Sequence, residues 1–274
     1  MANKTDLSSV STGLASLVIP CCGMLEYTKL CIPSVLKHTR PPFELIFLDI
    51  GSLDGTAEYL AGLHAGLAGQ IRVEVVRTPT DLGLQGACRQ ALGETLGEYV
   101  VLLNNDTVVG NGWLNQLIGL ATFSMAIGMT GPMSNMAPPP QLVETVPYRT
   151  GIRGQGAGIR SQESGGRSQE SGVRGIAAAV EQFAVGYRKE HQGKWVYSER
   201  LGGFCLLIKR EVLDKIGADL DEWSDLSLFD TDILSAKTKQ AGYSLAVCQD
   251  LFVHHFGTRT FAHGPPAAHA EARA

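Results

Sequence analysis

Long apolar runs are missing from this 274-residue chain: nothing approaches the roughly 20 apolar residues that a bilayer span needs. Residues 1 to 13 are polar and rich in Ser and Thr, without the apolar core of a signal peptide, so a cytoplasmic protein with no membrane span is expected. The six cysteines, at 21, 22, 31, 88, 205 and 248, form no Cys-x-x-Cys pair, which excludes a zinc ribbon and a thioredoxin-like redox site. They are expected to be reduced, small apolar residues in or near the core. No Gly-x-Gly-x-x-Gly follows the first strand, where Pro20-Cys-Cys-Gly23 stands, and no Gly-Lys-Ser/Thr loop is present. Nicotinamide dehydrogenases and ATPases are thereby disfavoured. Excess positive charge is also lacking: with a net charge of −4 there is no reason to expect a nucleic-acid partner.

What is present is an ordinary globular composition, 44% apolar and 18% charged, in a chain long enough to bury a sizeable core. The first half alternates β-branched runs with longer amphipathic stretches, the pattern of an α/β sheet. Strands are expected at 16–20, 43–49, 71–77 and 99–103, and helices at 25–38, 56–67, 84–95 and 112–124. Serial strand and helix units imply a mainly parallel sheet flanked by helices, whose ligands gather at the carboxyl ends of the strands.

Between residues 150 and 175 the pattern collapses into Gly, Ser, Gln and Arg, with Arg-Ser-Gln-Glu-Ser written at 160–164 and again at 167–171. A flexible loop lengthened by duplication is expected there, or else a lid that orders over substrate. Order returns with helices at 176–191, 210–216 and 229–241 and strands at 204–209, 244–247 and 252–254. A disordered tail is expected over residues 263–274.

The most informative segment runs from Leu102 to Val109, where an apolar strand ends in Asn104, Asn105 and Asp106. Magnesium or manganese takes only one or two protein carboxylates and fills its remaining positions with phosphate oxygens and water, so one well-placed Asp can suffice. Asp49 ends the second strand, where it can accept hydrogen bonds from a base or ribose. Asp54 in the following loop reads as a cap for the helix that starts at Thr56. Farther on, Asp230 and Asp232 flank Thr231, and His254 and His255 end the last strand ahead of Gly257, Thr258 and Arg259. Neighbouring strand residues point to opposite faces, so one of the two histidines is expected to reach a metal while the other packs.

The ordered set Leu17-Val-Ile-Pro20, Leu48-Asp-Ile-Gly-Ser-Leu-Asp-Gly-Thr56, Asp81-Leu-Gly83, Gly97 to Thr107, Gly202-Gly-Phe204, Phe229-Asp-Thr-Asp232 and Val253-His-His-Phe-Gly257 resembles family 2 glycosyltransferases over about residues 15 to 262. The resemblance implies a GT-A fold, a nucleoside-diphosphate sugar donor, Mn2+ or Mg2+, and inversion at the anomeric carbon. It implies a nucleotide-sugar-binding subdomain at 14–149, the loop at 150–175, and a smaller part at 176–262 that binds the acceptor and carries the base. Asp106 takes the place of the metal-binding aspartate, with His254 or His255 as a further ligand. Pro20, Asp49, Gly83, Asn105 and Arg259 fall where the nucleotide would be held, and Asp230 or Asp232 at the general base.

The chain departs from the family where amides stand at Asn104 and Asn105 and where Ile50 follows Asp49, positions that are often acidic. In this scheme the metal neutralises charge on the departing diphosphate while an aspartate takes the proton of an acceptor hydroxyl. The rival reading is a catalytically silent module that binds a nucleotide or carbohydrate on the same fold.

Overall fold

The computed structural model describes residues 3–4, 13–40, 42–77, 90–148, 169–217 and 231–257. The first half is built from β1 (Asn3–Lys4), β2 (Ala15–Cys21), α1 (Leu25–His38), β3 (Phe43–Asp49), α2 (Thr56–Gly66) and β4 (Val73–Arg77), followed by β5 (Tyr99–Leu103), β6 (Thr107–Val108), α3 (Trp113–Phe123) and β7 (Ile127–Met133). The second half holds α4 (Gln169–His191), β8 (Lys194–Ser198), β9 (Cys205–Lys209), α5 (Arg210–Ile216), α6 (Thr231–Gln240), β10 (Ser244–Phe252) and β11 (His254–His255).

The large sheet has the order β1-β8-β10-β7-β9-β5-β2-β3-β4. Its β5-β2-β3-β4 half is parallel throughout, as the alternation of strands and helices predicts. In the other half β9 runs antiparallel between β5 and β7, β7 and β10 are parallel, and β8 returns antiparallel. Strands β2, β3 and β5 are buried along their whole length, which is why they read as mostly apolar runs, broken only by Ser16, Glu44 and Asp49.

Alternation along the strands divides the core in two. Leu17, Ile19, Leu45, Phe47, Val101 and Leu103 pack on the side that holds Ile32 and Val35 of α1 and Trp113 of α3. Val18, Ile46, Leu48, Val100 and Leu102 face the other side, with Val212 and Ile216 of α5 and Leu234 of α6.

Three differences from the sequence reading have physical causes. Strand β7 was not expected, because Ile127-Gly-Met-Thr-Gly-Pro-Met133 carries two glycines and a proline. It is nevertheless wholly buried, and its glycines are there for close approach: a Cβ on Gly128 would lie 2.7 Å from Tyr243 Cβ, and one on Gly131 2.7 Å from Gln141 Nε2. Helix α4 begins at Gln169, ahead of the expected start at 176. Residues 194–198, for which no element was expected, form β8. Of the helix expected at 84–95, residues 90–93 are helical and residues 84–89 lie outside the described residues. Most of the loop at 150–175 and the tail at 263–274 lie outside the described residues.

Candidate functional site

Four chain segments meet at the carboxyl ends of β2, β3 and β5. After β2, the loop through Gly23 is tied to the loop after β3: Gly23 N donates to Ser52 Oγ at 2.8 Å, and Leu25 N to Asp54 Oδ2 at 2.9 Å. Asp54 Oδ1 also accepts from Thr56 N at 3.2 Å and Thr56 Oγ1 at 2.6 Å, the capping role its position suggests. Burial works against its carboxylate, yet these hydrogen bonds from Thr56 and Leu25 outweigh it and lower its pKa.

Asp49 is 2% exposed at the end of β3, where Oδ1 accepts from Ser52 N at 3.1 Å and Oδ2 from Arg77 Nε at 3.1 Å. Arg77 stands opposite it in the β3–β4 register and reaches it across the strand ends. The sequence reading passed over Arg77, whose importance comes only from that pairing. Pro20 lies within β2, buried beside Leu48 of β3. Asn105 is fully buried, and its amide donates to Gly23 O at 3.2 Å and Thr28 Oγ1 at 2.9 Å. It thus braces the β2–α1 loop from below.

Asp106 is fully buried in the turn between β5 and β6. Strand β11 lies antiparallel on β6, with His254 opposite Val108 and His255 opposite Thr107, and Phe256 N donates to Asp106 O at 3.0 Å. This pairing brings the two halves of the chain together. His255 Nε2 comes within 3.4 Å of Asp106 Oδ1, while the ring stacks on Phe204 at 5.3 Å and 17°.

His254 faces the other way, as neighbouring strand residues must. Its Nδ1 meets Tyr148 Oη at 3.0 Å, and its ring packs edge-on against Phe256 at 4.5 Å. Burial first, then the neighbouring His255, lowers its pKa to about 4, against an opposing pull from Asp106, so it is neutral near pH 7. Of the two histidines the sequence left open, His255 is the one beside the carboxylate.

The tautomer of His255 follows from its surroundings. Its Nδ1 lies 3.0 Å from Met136 O, and a carbonyl can only accept, so Nδ1 carries the hydrogen. Nε2 is then the nitrogen left to face Asp106, buried and without a hydrogen-bond partner among the described residues. Two acceptors held this close in a buried place are costly unless a proton or a cation lies between them.

Asp232 opens α6 with its side chain 69% exposed and 3.7 Å from Arg200 Nη1. The start of α6 is joined to the site through Leu201 N, which donates to Ser235 Oγ at 3.4 Å, and Gly202 N, which donates to Gln141 Oε1 at 2.6 Å. Phe204 O in turn accepts from Asn104 N at 2.9 Å. Asp230, Gly83 and Arg259 lie outside the described residues. The thiols of Cys21, Cys31, Cys205 and Cys248 are buried and unbridged, and burial raises the pKa of each, Cys31 to about 12.

Residues 16–137 match the family model described as Glycosyl transferase family 2. Among curated proteins the chain is 28% identical over 243 residues to the uncharacterized protein y4gI of Sinorhizobium fredii, covering 85% of this chain and 23% of that one. It is 27% identical over 104 residues to glycosyltransferase GlyG of Streptococcus pneumoniae, covering 38% of this chain and 34% of that one. The chain therefore spans about a quarter to a third of the length of these relatives.

Its fold is shared with GalNAc-T7, solved with UDP, GalNAc and Mn2+: the TM-score is 0.60 at 18% identity, over 94% of this chain and 46% of that one. It is shared too with the mannosyltransferase PcManGT of Pyrobaculum calidifontis, solved with GDP-Man and Mn2+, with a TM-score of 0.57 at 15% identity over 91% and 58% of the two chains. Among the described residues no helix is long and apolar enough to cross a membrane.

Proposed function

We propose that this chain, a glycosyltransferase of family 2 with the GT-A fold, moves a sugar from a nucleoside-diphosphate sugar to an acceptor hydroxyl with inversion, aided by Mn2+ or Mg2+. The observation that carries the reading is the buried pair of Asp106 Oδ1 and His255 Nε2, 3.4 Å apart, with Nδ1 of the histidine committed to Met136 O and Nε2 facing the carboxyl group. A carboxylate oxygen and an imidazole nitrogen are a fitting donor set for a divalent cation. Such an ion would take its other ligands from a diphosphate and water. When bound, such an ion neutralises the charge that develops on the leaving diphosphate.

The chain's own residues account for the remaining steps. Asp49, held by Ser52 N–H and Arg77, presents a preset acceptor edge to base or ribose. Pro20, Gly83 and the loop that Asn105 braces wall the nucleotide, and Arg259 meets the diphosphate. Asp230 or Asp232 accepts the proton of the acceptor hydroxyl. Asp232 is suited to this by its exposure at the first turn of α6, where an incoming acceptor can reach it beside Arg200.

Titration of the protein with UDP and GDP, with and without Mn2+, tests the reading. Tightening by Mn2+ that is absent in Asp106→Ala is the expected result. Nucleotide binding of equal strength with and without Mn2+, unchanged by the substitution, would leave the fold as a binding module without the transfer chemistry.

A further inference from the structure

We infer that Asn135 is a positioning residue that sets the tautomer and direction of His255, and so decides how well the Asp106–His255 pair holds a divalent cation. The inference rests on the metal-binding reading of that pair. Its basis is a backbone need that β11 cannot meet by itself.

In an antiparallel pair, hydrogen-bonded and non-hydrogen-bonded positions alternate. Phe256 N donates to Asp106 O, so position 256 bonds inward to the β6 segment and position 255 does not. The N–H and C=O of His255 therefore point away from β6, in a place that is 7% exposed. Asn135 answers both: His255 N donates to Asn135 Oδ1 at 3.0 Å, and Asn135 Nδ2 donates to His255 O at 2.9 Å. Because the two backbone partners differ in kind, the orientation of the carboxamide is forced. One side chain thus does the work of a neighbouring strand.

The next residue completes the arrangement. Met136 O accepts from His255 Nδ1 at 3.0 Å, so the segment that clamps the backbone of His255 also selects its tautomer. Met136 N is itself held by Ser134 Oγ at 3.3 Å, and Ser134 N and O pair with Gln141 and Val143, which seats the whole loop on the body of the sheet. Gly257 allows this loop in: at φ +90°, a Cβ there would come within 2.8 Å of Met136 Cε. Partners outside the first ligand sphere commonly govern metal affinity by such control of a histidine ring.

The test measures free Mn2+ by electron paramagnetic resonance, titrating the UDP-saturated and GDP-saturated protein for the unchanged chain, Asn135→Ala, Asn135→Asp and His255→Ala. Asn135→Ala is expected to weaken Mn2+ binding about tenfold, with Asn135→Asp between it and the unchanged chain, since it keeps the acceptor and loses the donor. In parallel, long-range 15N–1H correlation on the metal-free protein reads the ring. His255 is expected to show a protonated Nδ1 and a bare Nε2, averaging towards both tautomers in Asn135→Ala. A purely structural role would lower thermal stability yet leave tautomer and Mn2+ affinity alone.

Mn2+ affinity within twofold of the unchanged chain in Asn135→Ala, with His255→Ala deficient, overturns the inference. If His255→Ala binds Mn2+ normally, the metal reading of His255 is what fails, and an unchanged tautomer in Asn135→Ala would sink the positioning role as well. Should Asn135→Ala not fold, Asn135→Asp carries both measurements.

Discussion

The two ends of the parallel strands treat buried polar groups in opposite ways. At the amino ends, Glu44 is 1% exposed and fully answered: Oε1 accepts from Leu96 N and Ser16 Oγ, and Oε2 pairs with Arg72 Nη1 at 2.7 Å. Arg72 continues to Glu94 O and Oε2, and Arg210 closes the neighbouring gap by donating to Gly97 O, Thr95 O and Thr95 Oγ1. At the carboxyl ends, by contrast, His254 Nε2 and His255 Nε2 are buried without a hydrogen-bond partner, next to a fully buried aspartate. A closed network holds the fold, whereas an open one leaves groups whose desolvation only a ligand offsets. The difference coincides with the candidate site at the carboxyl ends.

The largest expected effect breaks the open end. Asp106→Ala should lower turnover by about a thousandfold, the scale of losing a main electrostatic contact in a transition state, with loss of Mn2+-dependent nucleotide binding by calorimetry. A loss below about tenfold would show that the carboxylate serves packing alone.

Breaking the closed end should do the reverse. Glu44→Ala leaves the buried Ser16 hydroxyl and the Leu96 N–H without their acceptor and takes one of three carboxylates from the partly exposed Arg72, and is expected to cost about 2 kcal/mol in urea unfolding, with nucleotide affinity of the folded fraction unchanged. Equal stability would mean that the amino-end network contributes nothing net.

Tyr148→Phe sharpens the comparison at the open end, since it removes the hydroxyl that meets His254 Nδ1. A loss of about 1 kcal/mol in stability is expected, without change in Mn2+ affinity, because His254 faces away from Asp106. Weaker Mn2+ binding would assign His254 a part that its orientation argues against.

The smallest effect concerns Asp54, which caps α2 and ties α1 to it. Its pKa is lowered in the folded state, so its contribution is present above the unfolded carboxylate pKa and is lost as pH falls through the folded one. Asp54→Asn should therefore be the less stable protein near pH 7, by up to about 1 kcal/mol, and the gap should close under acid. A gap that persists at low pH would trace the effect to shape rather than charge.

Much of the first half was legible because its strands and helices obey local rules. The helix expected at 25–38 is α1, and the strands expected at 43–49 and 99–103 are β3 and β5. Such elements have mostly apolar runs or a periodic face, and neither depends on distant partners. Strand β7 was hidden because Gly128, Gly131 and Pro132 are poor strand formers, and the close approach that Gly128 makes to Tyr243 far along the chain and Gly131 to Gln141 just beyond the strand leaves no local pattern. Asn135 and Met136 were equally hidden: Ser134-Asn-Met-Ala-Pro-Pro-Pro140 reads as an ordinary turn, and nothing local tells that it clamps residue 255. Arg77 was missed for the same reason, as its partner Asp49 lies on a neighbouring strand.

The division between sequence and structure at the site is equally plain. The order of motifs from Leu17 to Gly257 was enough to show a resemblance to family 2 glycosyltransferases and to single out Asp106, because an apolar strand that ends in amides and a carboxylate is a local pattern. Only the tertiary structure decided that His255 rather than His254 stands by Asp106, and which of its nitrogens bears the hydrogen. Both depend on the register of a two-residue strand against β6 and on a carbonyl 119 residues away in sequence, and long-range pairing of that kind leaves no local trace.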